Sequence, residues 1–363
     1  CPDSMLTQIA QSNAALAVTK VINLYSRNDL VSEQAYYAAY CLAVEHKFCA
    51  ESLVLTNICK TLPGAFQEVF KAPVVSLWCF RTINEICIAS PRCASVLCAN
   101  NAPSIVVTAL QYHTHSSDIG QWGLQACIQL CSASSGVKHL YNANILETLA
   151  VVVSEEKHVD YVVEGVFSLI THVCHDYQGK DAKLRIEIQN RLGELEIPVI
   201  CMNLLFIKHI KNSANLICKG SDALSAMSKN NDNNNSKLGK DSINAVEWCM
   251  DIIKKFPEEE LILIKICSLL AVLAENEKNC AKMGTSGACE EVLLCLNKHP
   301  DSAALSVAAC NAIGSMSSSA EFNQQRFGKG GACETIVHVL QQFSDSTLIC
   351  KWACRAVHRL AEG

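Results

Sequence analysis

Apolar and small residues recur along this chain of 363 residues in blocks of nearly constant length. In the closing stretch, KWACRAVHRLA at Lys351 to Ala361, we take Cys354 as the reference position. The steps between equivalent positions are 44, 44, 43, 54, 46, 43 and 44 residues. Those positions are Tyr36, Phe80, Leu124, Phe167, Ser221, Cys267, Cys310 and Cys354.

When the eight blocks are aligned on this reference, three columns of equivalent positions keep a similar residue character in every block. The second and sixth residues after it lie one helical turn apart and form an apolar stripe, and the seventh is always small. The sequence therefore predicts a helix in each block that packs closely on its neighbours. The sixth residues are Leu42, Ile86, Leu130, Val173, Met227, Leu273, Met316 and Leu360, and the seventh are Ala43, Cys87, Cys131, Cys174, Ser228, Ala274, Ser317 and Ala361.

The segment before each such helix has an order of its own. The last two read GTSGACEEVLLCLNKHPDSAAL and GKGGACETIVHVLQQFSDSTLI, which is a Gly-rich turn, an apolar helix and a short polar loop. The segment GKGGA at Gly328 to Ala332 lacks the Lys-Ser/Thr ending of a phosphate-binding loop and follows no strand. We interpret it as a turn between helices, because GTSGA occupies the same place one block earlier.

This period, with two or three helices per block, is typical of armadillo and HEAT repeats. The chain resembles the armadillo family, and its last units are similar to those of Roco-type kinases and many protist proteins. The resemblance implies an all-α, right-handed superhelical solenoid of about eight repeats, forming a single domain over 1–363. The expected repeats are 1–46, 47–90, 91–134, 135–178, 179–228, 242–277, 278–320 and 321–363.

Two blocks depart from the common length. The step of 54 residues contains Leu184, Ile188, Leu192 and Leu195 on one helical stripe, which predicts a longer or additional helix. The step of 46 residues contains SKNNDNNNSKLGKD at Ser228 to Asp241, a polar run that predicts a mobile loop over 229–241. We expect this loop to leave little room for a first helix in the sixth repeat.

Composition limits which cellular compartment and which partners we expect. The formal charge of −5 gives no basic footprint for nucleic acid. The 22 cysteines include no Cys-x-x-Cys and lie in apolar, helix-forming surroundings, so we expect reduced, buried thiols in a cytoplasmic protein. No apolar run of 18 residues or more predicts a transmembrane segment. The chain begins at Cys1 rather than Met, which is compatible with a domain from a longer protein.

The sequence favours no enzymatic activity and no cofactor. Gly-x-Ser-x-Gly and His-Glu-x-x-His motifs are absent from the sequence. His172, Cys174, His175 and Asp176 have the residue types of a metal site, but Cys174 belongs to the small, buried column. We therefore expect a structural role for them and no bound metal.

Three of the four tryptophans occupy one position, two residues before the reference. Helical angles place that position at the edge between the core and the groove that the resemblance implies. A long polar side chain follows each of these tryptophans three residues later, and Arg359 lies further along the last helix. Trp and Arg are common in binding hot spots, but the rings could equally fill space between repeats. The candidate partner-binding residues are Trp78, Arg81, Trp122, Gln125, Trp352, Arg355 and Arg359.

The resemblance implies a protein-interaction scaffold that binds a partner in its concave groove, with a small GTPase or a cytoskeletal protein as possible partners. The Asn ladder of importin-type relatives and the basic groove of β-catenin relatives are both absent. Two alternatives stay open. One is a small-GTPase regulator of the dissociation-stimulator or formin-regulatory type. The other is a ligand-sensing regulatory domain of a larger enzyme, similar to the armadillo domain of the NAD-cleaving axon-degeneration protein.

Overall fold

The computed structural model describes residues 8, 12–45, 47–154, 159–175, 182–207, 210–318 and 320–362. Within these residues every regular element is a helix and no strand forms. The chain divides into two compact units, 1–173 and 174–363, which we call the N-terminal unit and the C-terminal unit. The sequence-based expectation of an all-α repeat fold is confirmed.

The N-terminal unit contains eleven helices among its described residues. One shorter helix precedes the first long helix, and two shorter helices precede each of the three later ones. They are α1 (Ala14–Leu24), α2 (Asp29–Glu45), α3 (Lys47–Leu55), α4 (Ile58–Val69), α5 (Pro73–Ala89), α6 (Arg92–Ala99), α7 (Ala102–Tyr112), α8 (Ser117–Cys131), α9 (Gly136–Asn142), α10 (Ile145–Ser154) and α11 (Asp160–Cys174). The long helices α2, α5, α8 and α11 carry the reference positions.

The C-terminal unit repeats a first, a second and a third helix four times. Its helices are α12 (Ala182–Glu194), α13 (Ile197–Phe206), α14 (Ala214–Ser228), α15 (Asp232–Leu238), α16 (Ala245–Lys255), α17 (Glu260–Leu273), α18 (Glu277–Ser286), α19 (Ala288–Lys298), α20 (Ala303–Met316), α21 (Glu321–Lys329), α22 (Ala332–Gln342) and α23 (Thr347–Ala361). A short 3₁₀ turn, Ile210–Asn212, precedes α14. The helix predicted in the longest block is α12, whose Ile188 and Leu192 are buried.

The bend between the first and second helices of a repeat uses a left-handed backbone conformation. Asn and Gly adopt this conformation at the lowest cost, and they occupy it in every described repeat except one, where Glu196 takes the place. The turn predicted at GTSGA and GKGGA is confirmed, with Gly287 at φ 85° and Gly331 at φ 80°. The other bend residues are Asn13, Asn57, Asn101, Asn144, Glu196 and Asn244.

Third helices of successive repeats pack side by side within each unit, as α5 packs on α2 and α8, and α20 packs on α17 and α23. The reference residues from Tyr36 to Cys310 all have 0% exposure, whereas Cys354 in the last helix is exposed. The residue three positions after the reference shows the same difference in exposure, with 0% for Ile313 in α20 and 40% for Val357 in the last helix, α23. This face of α20 is therefore buried against the following third helix, whereas the same face of α23 is exposed.

The mobile loop predicted over 229–241 is wrong for residues 232–238, which form helix α15. This helix is the first helix of the sixth repeat, for which the sequence was expected to leave little room. Asn234 and Asn235 are both fully buried. Their side-chain amides donate to backbone carbonyls, Asn234 to Met227 at 2.9 Å and Asn235 to Ser228 at 3.1 Å. Because hydrogen bonds satisfy the NH2 groups of these amides, polar residues can fill a buried position that apolar side chains fill elsewhere, although both side-chain oxygens are buried without a donor among the described residues.

Asparagines of this kind join successive first helices in the C-terminal unit. Asn234 donates to the carbonyl of Gln189 at 3.0 Å, Asn279 to that of Asn235 at 2.9 Å, and Asn323 to that of Cys280 at 2.9 Å. A glycine of the preceding repeat makes room for each amide. A Cβ atom built on Gly193 would lie 2.2 Å from the side-chain oxygen of Asn234. The corresponding distances are 1.6 Å from Gly239 to Asn279 and 1.9 Å from Gly284 to Asn323.

Among the described residues, no single helix is both long and apolar enough to cross a membrane. Helices α6 and α7 reach the required length and composition only as a pair, and they are bent by 79° at the break between them.

Candidate functional site

Two tryptophans and an arginine from neighbouring third helices form one stack in the N-terminal unit. The guanidinium carbon of Arg81 lies 4.9 Å from the ring centroid of Trp78, on the same helix. It lies 4.6 Å from the ring centroid of Trp122, on the next third helix, α8. Both distances are within the range of cation–π interactions. The structure thus brings three of the seven candidate residues together.

Two tyrosines of the first repeat extend this stack. The rings of Tyr37 and Trp78 have centroids 4.5 Å apart, and those of Tyr40 and Trp78 are 5.3 Å apart. Tyr40 also lies 5.7 Å from the Arg81 guanidinium. We call these five residues (Tyr37, Tyr40, Trp78, Arg81 and Trp122) the aromatic stack. It crosses three successive third helices, α2, α5 and α8.

The repeat register explains why these side chains meet. The residue one position after the reference in one repeat contacts the residue two positions before the reference in the next. Tyr37 therefore meets Trp78, and Arg81 meets Trp122. The tryptophans are neither fully buried nor fully exposed. They pack against side chains of neighbouring repeats and keep part of each ring accessible.

Arg81 is held in this arrangement by ring contacts rather than by polar ones. Its Nε is buried and has no acceptor, and no ion pair or hydrogen bond joins its guanidinium to another described side chain. The neighbouring Glu85 accepts a hydrogen bond from the side-chain amide of Asn84 at 3.0 Å. A buried donor without an acceptor is costly, and contact of the charged group with the aromatic rings offsets part of that cost.

The other candidate residues are arranged less compactly. Trp352 has cations at 5.2 Å on the same helix, Lys351 and Arg355. Arg359 pairs with Glu362 at 2.7 Å, while its Nε is buried without an acceptor. Gln125 is half-buried and lies outside the aromatic stack. The fourth tryptophan, Trp248, belongs to the core.

The aromatic stack includes two residues that the sequence analysis did not name, Tyr37 and Tyr40. Tyr37 occupies the same position in its repeat as Arg81 and Arg355, one residue after the reference. Reading that column across neighbouring repeats, rather than within one helix, would have identified it. Tyr40 carries no comparable signal, because its contact with Trp78 depends on how α2 and α5 cross.

The residues considered for metal binding do not assemble a site. Within the described part of the chain, no three His, Cys, Asp or Glu side chains lie close enough to hold a metal ion. His172 bonds through Nδ1 to the carbonyl of Ser168 at 2.7 Å, and burial raises the pKa of the Cys174 thiol to about 12. A neutral, buried thiol is a poor ligand. Asp176 lies outside the described residues.

A cavity of about 740 Å³ opens in the C-terminal unit near the ends of α17 and α20. Its lining includes the carboxyl groups of Glu275, Glu277 and Glu321 and the guanidinium of Arg355. Burial raises the pKa of Glu275, and a hydrogen bond from the backbone N–H of Asn230 at 2.6 Å opposes that shift. The charged part of its lining is therefore mainly acidic, with three carboxyl groups to one guanidinium.

Comparison with known proteins identifies the fold and not the family. No protein-family model matches the chain, and no curated protein matches it in sequence. An engineered protein of known structure superposes on 100% of this chain and 82% of its own, with a TM-score of 0.81 and 14% identity. A structure concerning a phosphorylation switch in the interaction between cadherin and beta-catenin superposes on 99% of this chain and 70% of its own. Its TM-score is 0.77 at 12% identity.

These similarities, together with the helix order within each unit, define an armadillo-type helical repeat protein. At such low identity the comparison establishes the architecture alone.

Proposed function

We propose that this protein is a non-enzymatic scaffold that binds an extended segment of a partner protein across its third helices. The aromatic stack is the observation that carries the proposal. It runs over α2, α5 and α8, so a partner segment lying across these helices would contact all three repeats. Half-exposed tryptophan, tyrosine and arginine supply the largest contact energies found in protein interfaces.

The candidates in the C-terminal unit form a second contact surface in this proposal. Trp352 with Arg355 has the composition of a hot spot, and Arg359 lies on the same helix. We propose that 1–363 acts as a single solenoid in the cytoplasm and that no cofactor takes part. We further propose that its last repeats are related to those of Roco-type kinases and protist proteins.

The test compares partner capture by matched arginine variants. The wild-type chain, Arg81→Ala, Arg355→Ala and Arg92→Ala are immobilised, and proteins bound from a lysate of the native cells are identified by mass spectrometry. Arg92 is an exposed arginine at the start of α6 and serves as the control. We expect specific partners to be lost with Arg81→Ala, or weakened by about 1 to 2 kcal/mol, and to remain with Arg92→Ala.

If the Arg81 and Arg355 variants capture the same proteins as the wild type, the partner site lies elsewhere. The next surfaces to examine would then be the outer helices and helix α12. Binding constants measured with the purified partner would separate a weakened contact from a loss of folded protein.

A second candidate function is regulation of a small GTPase. The observation in its favour is the acidic cavity, because Glu275, Glu277 and Glu321 would attract a basic GTPase tail. A nucleotide-release assay with purified GTPases tests this directly, with Glu277→Gln as the variant expected to reduce any stimulation. The third alternative, a ligand-sensing domain, calls for a basic pocket, and the lining of this cavity does not favour it.

A further inference from the structure

The chemistry of the aromatic stack points to one class of partner residue. This inference rests on the proposed function, since it concerns the segment that would lie across α2, α5 and α8. We infer that the edge of the Arg81 guanidinium, which lies between Trp78 and Trp122, receives a carboxylate side chain, Asp or Glu, of the partner segment. The carboxylate would pair with the guanidinium of Arg81.

The two rings limit how Arg81 can be approached. Trp78 and Trp122 lie 4.9 and 4.6 Å from the guanidinium carbon, and Tyr40 lies 5.7 Å from it. Aromatic rings interact with the planar face of a guanidinium, whereas its N–H groups point outward within the plane. The edge is therefore the direction left for a hydrogen-bonding ligand. A carboxylate fits this edge with two parallel N–H···O bonds.

The charge of the site favours a carboxylate over a phosphate group. Arg81 is the one cation among the five residues of the aromatic stack, and it has no ion pair with another described side chain. A carboxylate carries one negative charge and therefore balances the single positive charge of Arg81. A phosphorylated side chain carries nearly two charges and is usually held by a cluster of cations.

The surroundings of Arg81 increase the strength of such a pair. The guanidinium is half-buried and held by rings on neighbouring helices, so little side-chain entropy remains to be lost on binding. The aromatic rings also exclude water from the sides of the ion pair. Glu85, one turn along the same helix, forms no ion pair with Arg81; its carboxylate accepts a hydrogen bond from the side-chain amide of Asn84.

The test uses a displayed library of random peptides, selected on the full chain. Selection is performed in parallel on the wild type, Arg81→Gln, Trp122→Leu and the control Arg92→Gln. We expect peptides from the wild type and Arg92→Gln to share an Asp or Glu at one position. Replacing that residue by Asn or Gln in a purified peptide should weaken binding about tenfold, as expected for the loss of one charge-assisted pair. On Arg81→Gln the same replacement should change binding less than about twofold.

Each other outcome has a defined meaning. Peptides that bind the stack without an acidic residue, or that require a phosphorylated residue when one is offered, overturn the inference but not the proposed function. An acidic preference that persists in Arg81→Gln also overturns the inference. If Trp122→Leu and Arg81→Gln leave the selected peptides and their affinities unchanged, the third-helix surface is not the binding site and the proposed function itself fails. Circular dichroism of each variant establishes that it is folded.

Discussion

The side-chain oxygen of Asn323 lies against Gly284 of the preceding repeat, where a Cβ atom would come within 1.9 Å of it. The amide of Asn323 is fixed in this place because it donates to the carbonyls of Cys280 and Met316, at 2.9 and 2.8 Å. The asparagine therefore cannot move aside without breaking hydrogen bonds. The glycine and the asparagine form a contact that depends on both residues.

Replacement of Gly284 by alanine should therefore destabilise the protein. We expect a loss of about 2 kcal/mol in the free energy of unfolding, typical of overpacking at a close contact. Gly328 is the matched control, because it lies in the following first helix, α21, and has nothing within 4 Å of its Cβ position. Gly328→Ala should stabilise by about 0.5 to 1 kcal/mol through helix propensity. Urea unfolding of both variants checks the pair, and equal effects of the two substitutions would contradict the contact.

The asparagines of α15 provide a second prediction. Asn234 is fully buried and donates to Gln189 and Met227, so Asn234→Ala leaves two carbonyls without their donor. We expect a loss of about 2 to 3 kcal/mol. Asn233→Ala, an exposed change in the same helix, should stay within about 0.5 kcal/mol. Thermal unfolding of the two variants measures the difference. A neutral Asn234→Ala would restore the interpretation of this segment as a mobile loop.

The failure to predict α15 from sequence has a physical cause. Helix periodicity is recognised through apolar residues, and the segment DNNNSKL offers only Leu238. Its asparagines are stabilised by carbonyls of another repeat, which no local pattern indicates. In contrast, the third helices were predictable, because each buries a column of apolar residues, such as Phe80 and Leu124, that keeps its phase from repeat to repeat.

The positions of the candidate residues on their helices were predictable from the sequence, whereas their contacts between repeats were not. Helical angles within one repeat placed the position of Trp78 at the edge between core and groove, and Trp78 and Arg81 are both half-buried. These angles could not show that Arg81 contacts Trp122, since this contact depends on the register between α5 and α8. Arg81 is consequently half-buried and stacked between the two rings.

Thiol reactivity should follow the burial of the cysteines. The described cysteines form no disulfide, and most are buried. Burial raises the pKa of Cys98 to about 11 and that of Cys201 to about 12, so at pH 8 these groups are neutral thiols and react slowly. Cys333 and Cys354 are exposed and should be alkylated first. Mass spectrometry after brief treatment with iodoacetamide tests this order, and rapid labelling of Cys98 or Cys201 in the folded protein would contradict it.

The contact between Arg81 and Trp122 should be measurable as a coupling free energy. Trp122→Leu retains an apolar side chain but removes the indole ring, and Arg81→Gln removes the charge while retaining a polar side chain. A double-mutant cycle in urea unfolding should give a coupling of about 1 kcal/mol, as expected for a partly desolvated cation–π pair.

The control cycle for that coupling combines Trp122→Leu with Arg92→Gln, because Arg92 is exposed at the start of α6, outside the aromatic stack. Its two substitutions should be additive within about 0.5 kcal/mol. The cation–π coupling should also persist at high salt, because the aromatic rings shield Arg81 from solvent ions. Additivity in the Arg81 cycle as well would mean that the guanidinium and the indole do not stabilise each other across the two repeats.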